Sequence, residues 1–474
     1  MLRAEPERRK PPMTEIALLT AEQMLAHYAR GTLSPVQVLQ AVTERIARYN
    51  PSINAMVVMN PRAALAAGES EARWRAGRPM GPLDGVPVTI KDLVDVAGFP
   101  TRRGSRLTDA SPVPQDAPLT MGLKAAGAMI IGKTATTEFG WKTPGDCPLH
   151  GITRNPWSLG HTPGGSSSGA GAAGAAGFGP LHVGTDAGGS IRIPAAWCGL
   201  VGLKPTYGRV PQWPAGAFAP VAAAGPMTRS VRDAALMLSA MARFDARDPF
   251  CLPDDPRDWR EGIEDGVAGM RIAVLRRPGF EAPADAAAVG ALEAAAAVLA
   301  EAGAEIEDAD PMLPDTRAIF GRVWGIALSR LVDSFPEDKR ALLDRGLLEV
   351  ARAEGAMTAA EFLGAEALRI HAAHTMAMLH CRYDLVLCPT VPEPALPIED
   401  GTGDARTALW TRWAPWTFTF NLTRQPAIAV PVGLDGQGLP RSVQIAAAIY
   451  RDDLVLRAAR VVESAFPIAA APAE

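Results

Sequence analysis

The sequence predicts an α/β fold, a mostly parallel or mixed sheet with helices on both faces. Three observations carry that expectation. Short apolar runs at residues 86–90, 128–132 and 181–184 are separated by glycine turns and helical stretches. Hydrophobic residues make up 48% of the 474 and charged residues 21%, enough to bury a large core. Sequences typical of helix starts precede and follow these runs.

Taken in order, Thr20-Ala21-Glu22-Gln23 and Ser34-Pro35-Val36-Gln37 read as capping boxes, the second with proline at the first helical position. Each opens an amphipathic helix, and Val36, Leu39, Val42 and Ile46 are expected as the buried stripe of the second. A further helix is expected over 61–76, so that residues 1–80 form helical cladding. Residues 81–235 hold the strands and glycine loops. The stretch 170–179 contains only alanine, glycine and one phenylalanine, which suits a helix packed tightly against the sheet. Residues 271–276 read as a strand, 283–302 as a helix with proline in its first turn, and 304–306 as the next strand. The region 280–382 is largely helical and is expected to cover the mouth of a site. Strand character returns at 383–389 and 427–431, and the acidic, glycine-rich 399–404 reads as an exposed loop. No repeat or linker divides the chain, so 1–474 is read as one domain.

Composition excludes several functions. A net charge of −4 gives no reason to expect nucleic acid or an anionic membrane as partner. The five cysteines, Cys147, Cys198, Cys251, Cys381 and Cys388, lack CxxC spacing and suit a reducing compartment. The charged, proline-containing first dozen residues have no apolar core of a secretory signal, and Met13 is an alternative start. A cytoplasmic protein is the resulting expectation. His371 and His374, three apart on an expected helix, lack partners of metal-ligand spacing, and Cys198 beside Trp197 reads as core packing.

Three segments carry chemistry. Ser190 lies in Gly184-Thr185-Asp186-Ala187-Gly188-Gly189-Ser190-Ile191-Arg192, and Ser166 in Pro163-Gly164-Gly165-Ser166-Ser167-Ser168-Gly169. Lys91 ends the run Val86-Pro87-Val88-Thr89-Ile90. Glycines beside Ser190 let backbone amides approach a ligand, so Ala187, Gly188 and Gly189 are candidate oxyanion donors. Read singly, each segment has a plain alternative: a tight turn, an anion-cradling or flexible loop, a solvated lysine. The serine loop lacks the Gly-Lys-Ser/Thr ending of a nucleotide P-loop. Together, two glycine-bracketed serines and a lysine whose pKa burial would lower form a set for acyl transfer without histidine.

The order, spacing and flanking residues of these segments resemble the amidase signature family of serine hydrolases. The resemblance extends through Gly132-Lys133-Thr134, Glu138-Phe139, Gly199-Leu200-Val201-Gly202-Leu203-Lys204-Pro205 and Gly225-Pro226-Met227-Thr228 to residues 425–432. It implies a three-layer α/β/α sandwich around a twisted mixed sheet and a Ser–cis-Ser–Lys triad with a cis peptide at Gly165–Ser166. By position, Ser190 is the implied nucleophile, Ser166 the relay and Lys91 the base, with Asp186 and Arg192 bracing the loop and Ser167 and Thr185 supporting. No metal or organic cofactor has a task in that scheme. The expected substrates are small amides, esters or carbamates, met by a monomer or homodimer. The rival within the family is the glutaminase component of a tRNA-dependent amidotransferase. The position of its glutamine-recognising aspartate falls on Ala414, within Arg412-Trp413-Ala414-Pro415-Trp416. Trp213, Phe218, Trp413 and Trp416 are therefore the candidates for an apolar substrate pocket.

Overall fold

Runs of apolar residues without polar alternation belong to strands covered on both faces, and residues 87–91, 129–134 and 385–389 are buried at every position. A computed structural model describes residues 13–282, 284–398 and 410–471. Its strands are β1 (Met56–Met59), β2 (Pro87–Lys91), β3 (Met129–Thr134), β4 (Asp146–Cys147), β5 (Gly151–Ile152), β6 (Leu181–Asp186) and β7 (Val201–Lys204). They continue with β8 (Ala223–Thr228), β9 (Arg271–Val274), β10 (Glu305–Asp308), β11 (Leu385–Pro389), β12 (Ala427–Leu434) and β13 (Pro440–Ala447). Among the described residues, 11 of these form one sheet in the order β1-β3-β2-β6-β8-β7-β12-β13-β11-β9-β10. β3, β2 and β6 run parallel, as do β11, β9 and β10. The other neighbours pair antiparallel, which makes the sheet mixed as expected.

Alternate residues of one strand feed two different cores. Ile428, Val430 and Val432 of β12 join a core with the helices Val231–Met241, Ala286–Glu301 and Asp452–Ala465. Ala429 points the other way, into a cluster with Ala170, Ile191 and Cys198. This is a helix–sheet–helix sandwich. The helix Ser168–Ala175 is wholly buried, and its small residues have a steric cause. A Cβ on Gly169 would run into the backbone of Ala135 and Ala55, and one on Gly174 would lie 2.6 Å from Leu200 Cδ1.

Both capping boxes form, Thr20 and Ser34 each accepting from the amide three residues on. The stripe of the second helix, Pro35–Ile53, is shifted: Val38, Leu39, Val42 and Ile46 are buried whereas Val36, in the first turn, is 40% exposed. The helix expected from 283 begins at Ala286, because the Asp285 carboxylate caps the Ala288 amide at 2.7 Å. The expected loop 399–404 lies outside the described residues. No helix among the described residues is long and apolar enough to cross a membrane. All five cysteines are unpaired.

Gly169→Val is expected to destabilise the protein by about 2 kcal/mol or more, since the added atoms have only backbone to displace. The urea unfolding midpoint measures this, and an unchanged midpoint would contradict the packing.

Candidate active site

Parallel pairing brings the carboxyl ends of β2 and β6 to the same edge of the sheet, where ligands bind in open α/β sheets. Lys91 is the last residue of β2, and Thr185 and Asp186 end β6. The Lys91 ammonium nitrogen is 2.7 Å from Ser166 Oγ and 2.9 Å from Thr185 Oγ1, with the Thr185 carbonyl at 3.5 Å. Lys91 has no exposed surface. Burial pushes its pKa well below the ordinary lysine value, against the opposing pull of the Asp186 charge.

The two serine loops lie side by side. The Ser167 amide donates to the Ser190 carbonyl at 3.2 Å, and Ser167 Oγ both donates to the Thr185 carbonyl and accepts its amide. The Gly165–Ser166 peptide is cis, as is Trp213–Pro214. Gly140 closes the far side of Ser166: its φ is +78°, and a Cβ there would sit 3.1 Å from Ser166 Oγ.

Asp186 organises the Ser190 loop. Its carboxylate accepts the amides of Gly189 at 2.7 Å and Ile191 at 3.1 Å, together with Arg192 Nε and Nη2 at 3.0 Å. Burial alone would raise its pKa; Arg192, Lys204 and Asn421 together hold it well below the carboxylate range. Arg192 in turn donates to Gln444 Oε1 at 2.9 Å and Asn421 Oδ1 at 2.6 Å. Asn421 Nδ2 returns to Asp186 Oδ1 at 2.9 Å and to the Val221 carbonyl at 3.1 Å. Thr417 Oγ1 donates to the Gly188 carbonyl at 2.8 Å and fills the space a Cβ on Gly189 would need. Gly189, at φ +125°, is thereby the residue this turn requires. Its amide, expected as an oxyanion donor, is instead engaged by Asp186.

A cavity of about 440 Å³ opens over these groups, lined by Ser166, Thr185, Ala187 and Ser190. Trp213 and Phe218 line it as expected, Phe218 stacking on Trp324 at 3.6 Å. Trp413 and Trp416 do not. Trp416 turns into the core beside Met376, Leu379 and Phe420, and Trp413 packs at the edge of the cluster holding Phe418. The short helix Thr417–Leu422 accounts for this, because it aims Thr417 and Asn421 at the Ser190 loop and leaves the tryptophans behind it. Ala414 is fully buried, its carbonyl accepting the Thr417 amide at 3.1 Å. Phe139, named in the sequence only as part of the family resemblance, completes the apolar wall with Leu93, Leu331 and Phe335, which sequence reading did not single out. Their signal was only apolarity at unremarkable positions. Among the described residues, no group of three or more His, Cys, Asp or Glu side chains is placed to hold a metal.

The helical cover is fastened beside Ser166. Glu138 accepts the Asp344 amide at 2.6 Å, while Lys142 bridges Asp146 at 2.7 Å and Asp344 at 2.8 Å. Burial pushes Glu138 up to about 7, against the lowering effect of Ser105 and the Asp344 amide.

The helix–sheet–helix sandwich that carries this site is that of a hydrolase family, as comparison with known proteins shows. Residues 37–456 match the family model described as Amidase, and the chain belongs to that family, the amidase signature enzymes, which hydrolyse amide C–N bonds. It is 37% identical to an acylamidase of Rhodococcus erythropolis, over 96% of this chain and 97% of that one. It is 35% identical to one component of the glutamyl-tRNA(Gln) amidotransferase of Rhodopirellula baltica, over 94% and 96%. A crystal structure of a bacterial aryl acylamidase of the amidase signature family superposes with a TM-score of 0.87 at 28% identity, covering 95% of this chain and 96% of that one.

Folded Glu138 keeps its proton up to about 7, whereas the unfolded residue releases it near 4.5. Glu138's own contribution to stability is therefore fullest below about pH 4.5 and is lost as pH rises to about 7. Urea unfolding across this range is expected to show the wild type losing stability relative to Glu138→Gln as pH rises; a difference that does not change with pH would contradict the shift.

Proposed function

We propose that the chain hydrolyses small apolar amides, and also esters and carbamates, through an acyl-enzyme on Ser190. The observation that carries this reading is the 2.7 Å contact between the fully buried Lys91 amine and Ser166 Oγ, in a cavity that Ser190 also lines.

In this reading Ser190 Oγ bonds to the acyl carbon while its proton passes to Ser166, whose own proton passes to neutral Lys91. The amides of Ala187 and Gly188 hold the developing oxyanion, and the Gly189 amide serves the loop through Asp186. The proton returns through Ser166 to the leaving nitrogen as the C–N bond breaks, since an amine anion is too basic to depart unassisted. Water then cleaves the acyl-enzyme by the same relay. Esters need less help because their leaving groups are better, and carbamates present the same planar acyl centre. Trp213, Phe218, Phe139, Leu331 and Phe335 favour an apolar or aryl group on the substrate, in keeping with the acylamidase and aryl acylamidase relatives.

The second reading, a glutaminase working within a larger complex, is favoured by the amidotransferase relative. Against it stands Ala414, an apolar and buried residue where glutamine recognition requires a carboxylate.

Ser190→Ala is expected to lower turnover of a p-nitroanilide by about 10⁴-fold or more with the fold intact by circular dichroism. Full activity in that variant removes Ser190 from the mechanism. Lys91→Ala is expected to cost about 10²–10⁴-fold on amides and less on esters. The wild-type kcat/KM for amides should rise with pH around an inflection below the ordinary lysine value of 10.5. Across anilides, aryl carbamates and glutamine, glutamine should be the poorest substrate; glutamine turnover dependent on an added partner would favour the second reading.

A further inference from the structure

One arginine of the cavity wall makes no side-chain hydrogen bond or ion pair among the described residues. Arg103 lines the same cavity as Ser166 and Ser190. Among the described residues, no carboxylate lies within 4.0 Å of its side-chain nitrogens, and no side-chain hydrogen bond engages it. Arg247 and Asp248 of the same lining are engaged within the protein. Arg247 forms an ion pair with Asp245 at 2.7 Å and lies over the Trp213 ring at 4.9 Å. Asp248 accepts the Gln212 and Phe250 amides at 2.8 and 2.9 Å. Asp95, also in the lining, is 8% exposed, and among the described residues its buried Oδ1 has no hydrogen-bond partner.

The backbone that presents Arg103 is held from several sides. Its amide donates to the Asp92 carbonyl at 3.0 Å, and its carbonyl accepts the Phe139 amide at 2.8 Å. The preceding residues are pinned by the next turn of the same network. Lys133 donates to the Pro100 carbonyl and Thr101 Oγ1 at 2.8 Å, and it pairs with Asp92 at 2.7 Å. Asp92 also accepts the Arg102 amide at 3.2 Å. The network holds Arg103 at φ +52°, in the left-handed region that non-glycine residues seldom occupy. Phe139, bonded to Arg103, precedes Gly140, which lies against Ser166. The charged group is therefore carried by a fixed segment one bonded neighbour away from the proposed reacting hydroxyls.

We propose that Arg103 is a specificity-determining residue that takes a carboxylate borne by the substrate, on its acyl or its amine part. A guanidinium half-withdrawn from water with no internal acceptor is matched by a planar anion that can take two of its N–H groups. The preferred substrate then has an apolar body against Phe218 and Phe335 and an anionic end at Arg103. This inference rests on the hydrolase reading above and adds the chemistry of the substrate's far end.

The test uses two pairs of amides in which an isopropyl group replaces the carboxylate. The acyl pair is 4-carboxybutanoyl and 5-methylhexanoyl p-nitroanilide; the amine pair is 4-acetamidobenzoate and 4-isopropylacetanilide. The readout is the ratio of kcat/KM for acid over isostere, which cancels any general loss of activity. In Arg103→Asn, chosen because asparagine accepts a left-handed backbone, the ratio should fall about tenfold or more in at least one pair. Arg103→Lys should retain part of it. A ratio unchanged within about twofold in both pairs, with Arg103→Asn folded by circular dichroism, overturns the assignment. Wild-type hydrolysis of the neutral amides, abolished in Ser190→Ala, tests the underlying reading separately.

Discussion

The arrangement depends on keeping an amine out of water with only neutral oxygens around it. Lys91 touches two hydroxyls and one carbonyl. Among the described residues no carboxylate pairs with it, and burial is the larger influence on its charge. That is an unstable position for a lysine, because Asp186 stands near enough to favour the ammonium form. The surroundings of Asp186 answer this. Its two oxygens are taken up by Arg192, the loop amides and Asn421, all buried. A charge so thoroughly compensated exerts a weak pull on its neighbour, and desolvation of Lys91 prevails. The same bonds shape the Ser190 loop, so the partners that set the loop's geometry also weaken this carboxylate's pull on the charge of Lys91.

The fold supplies what those contacts need. Parallel β2 and β6 end at one edge, which places Lys91 beside Thr185. The Ser166 loop reaches them only because the helix after it is made of small residues that nest against backbone. Lys91, Thr185 and Asp186 are tolerated at the strand ends because each finds a partner within the site, the condition under which buried polar networks stiffen a structure.

Local chemistry made much of this legible in advance. Serines bracketed by glycine and a lysine at the end of an apolar run are short-range patterns, and the segments that carry them lie within about a hundred positions of one another. The capping boxes at Thr20 and Ser34 are likewise local. What was missed is non-local. Asn421, Gln444 and Thr417 reach the Ser190 loop from more than 200 positions away, and no periodicity announces that. Trp413 and Trp416 misled because aromatic content near a recognition position says nothing about which way a short helix turns. Strands such as β7 and β8, four and six residues with glycine or proline inside, lack any strand signature of their own and form because their neighbours pair with them. Arg103 looked like any loop arginine until its lack of a partner could be seen.

Desolvation also explains why the helical cover is tied where it is. Leu331 and Phe335 come from that cover and close the cavity over Ser190. The fastening is a buried cluster, Glu138 with the Asp344 amide and Lys142 between Asp146 and Asp344, anchored in the residues just before and after Gly140. Gly140 itself touches Ser166. Loosening this clasp would let water approach the hydroxyl and, through it, the amine whose neutrality the proposed relay requires. The cover and Lys91 are therefore not independent features: the groups that hold the lid sit on the same turn that shields the lysine's partner, so exclusion of water from substrate and from base is achieved by one set of contacts.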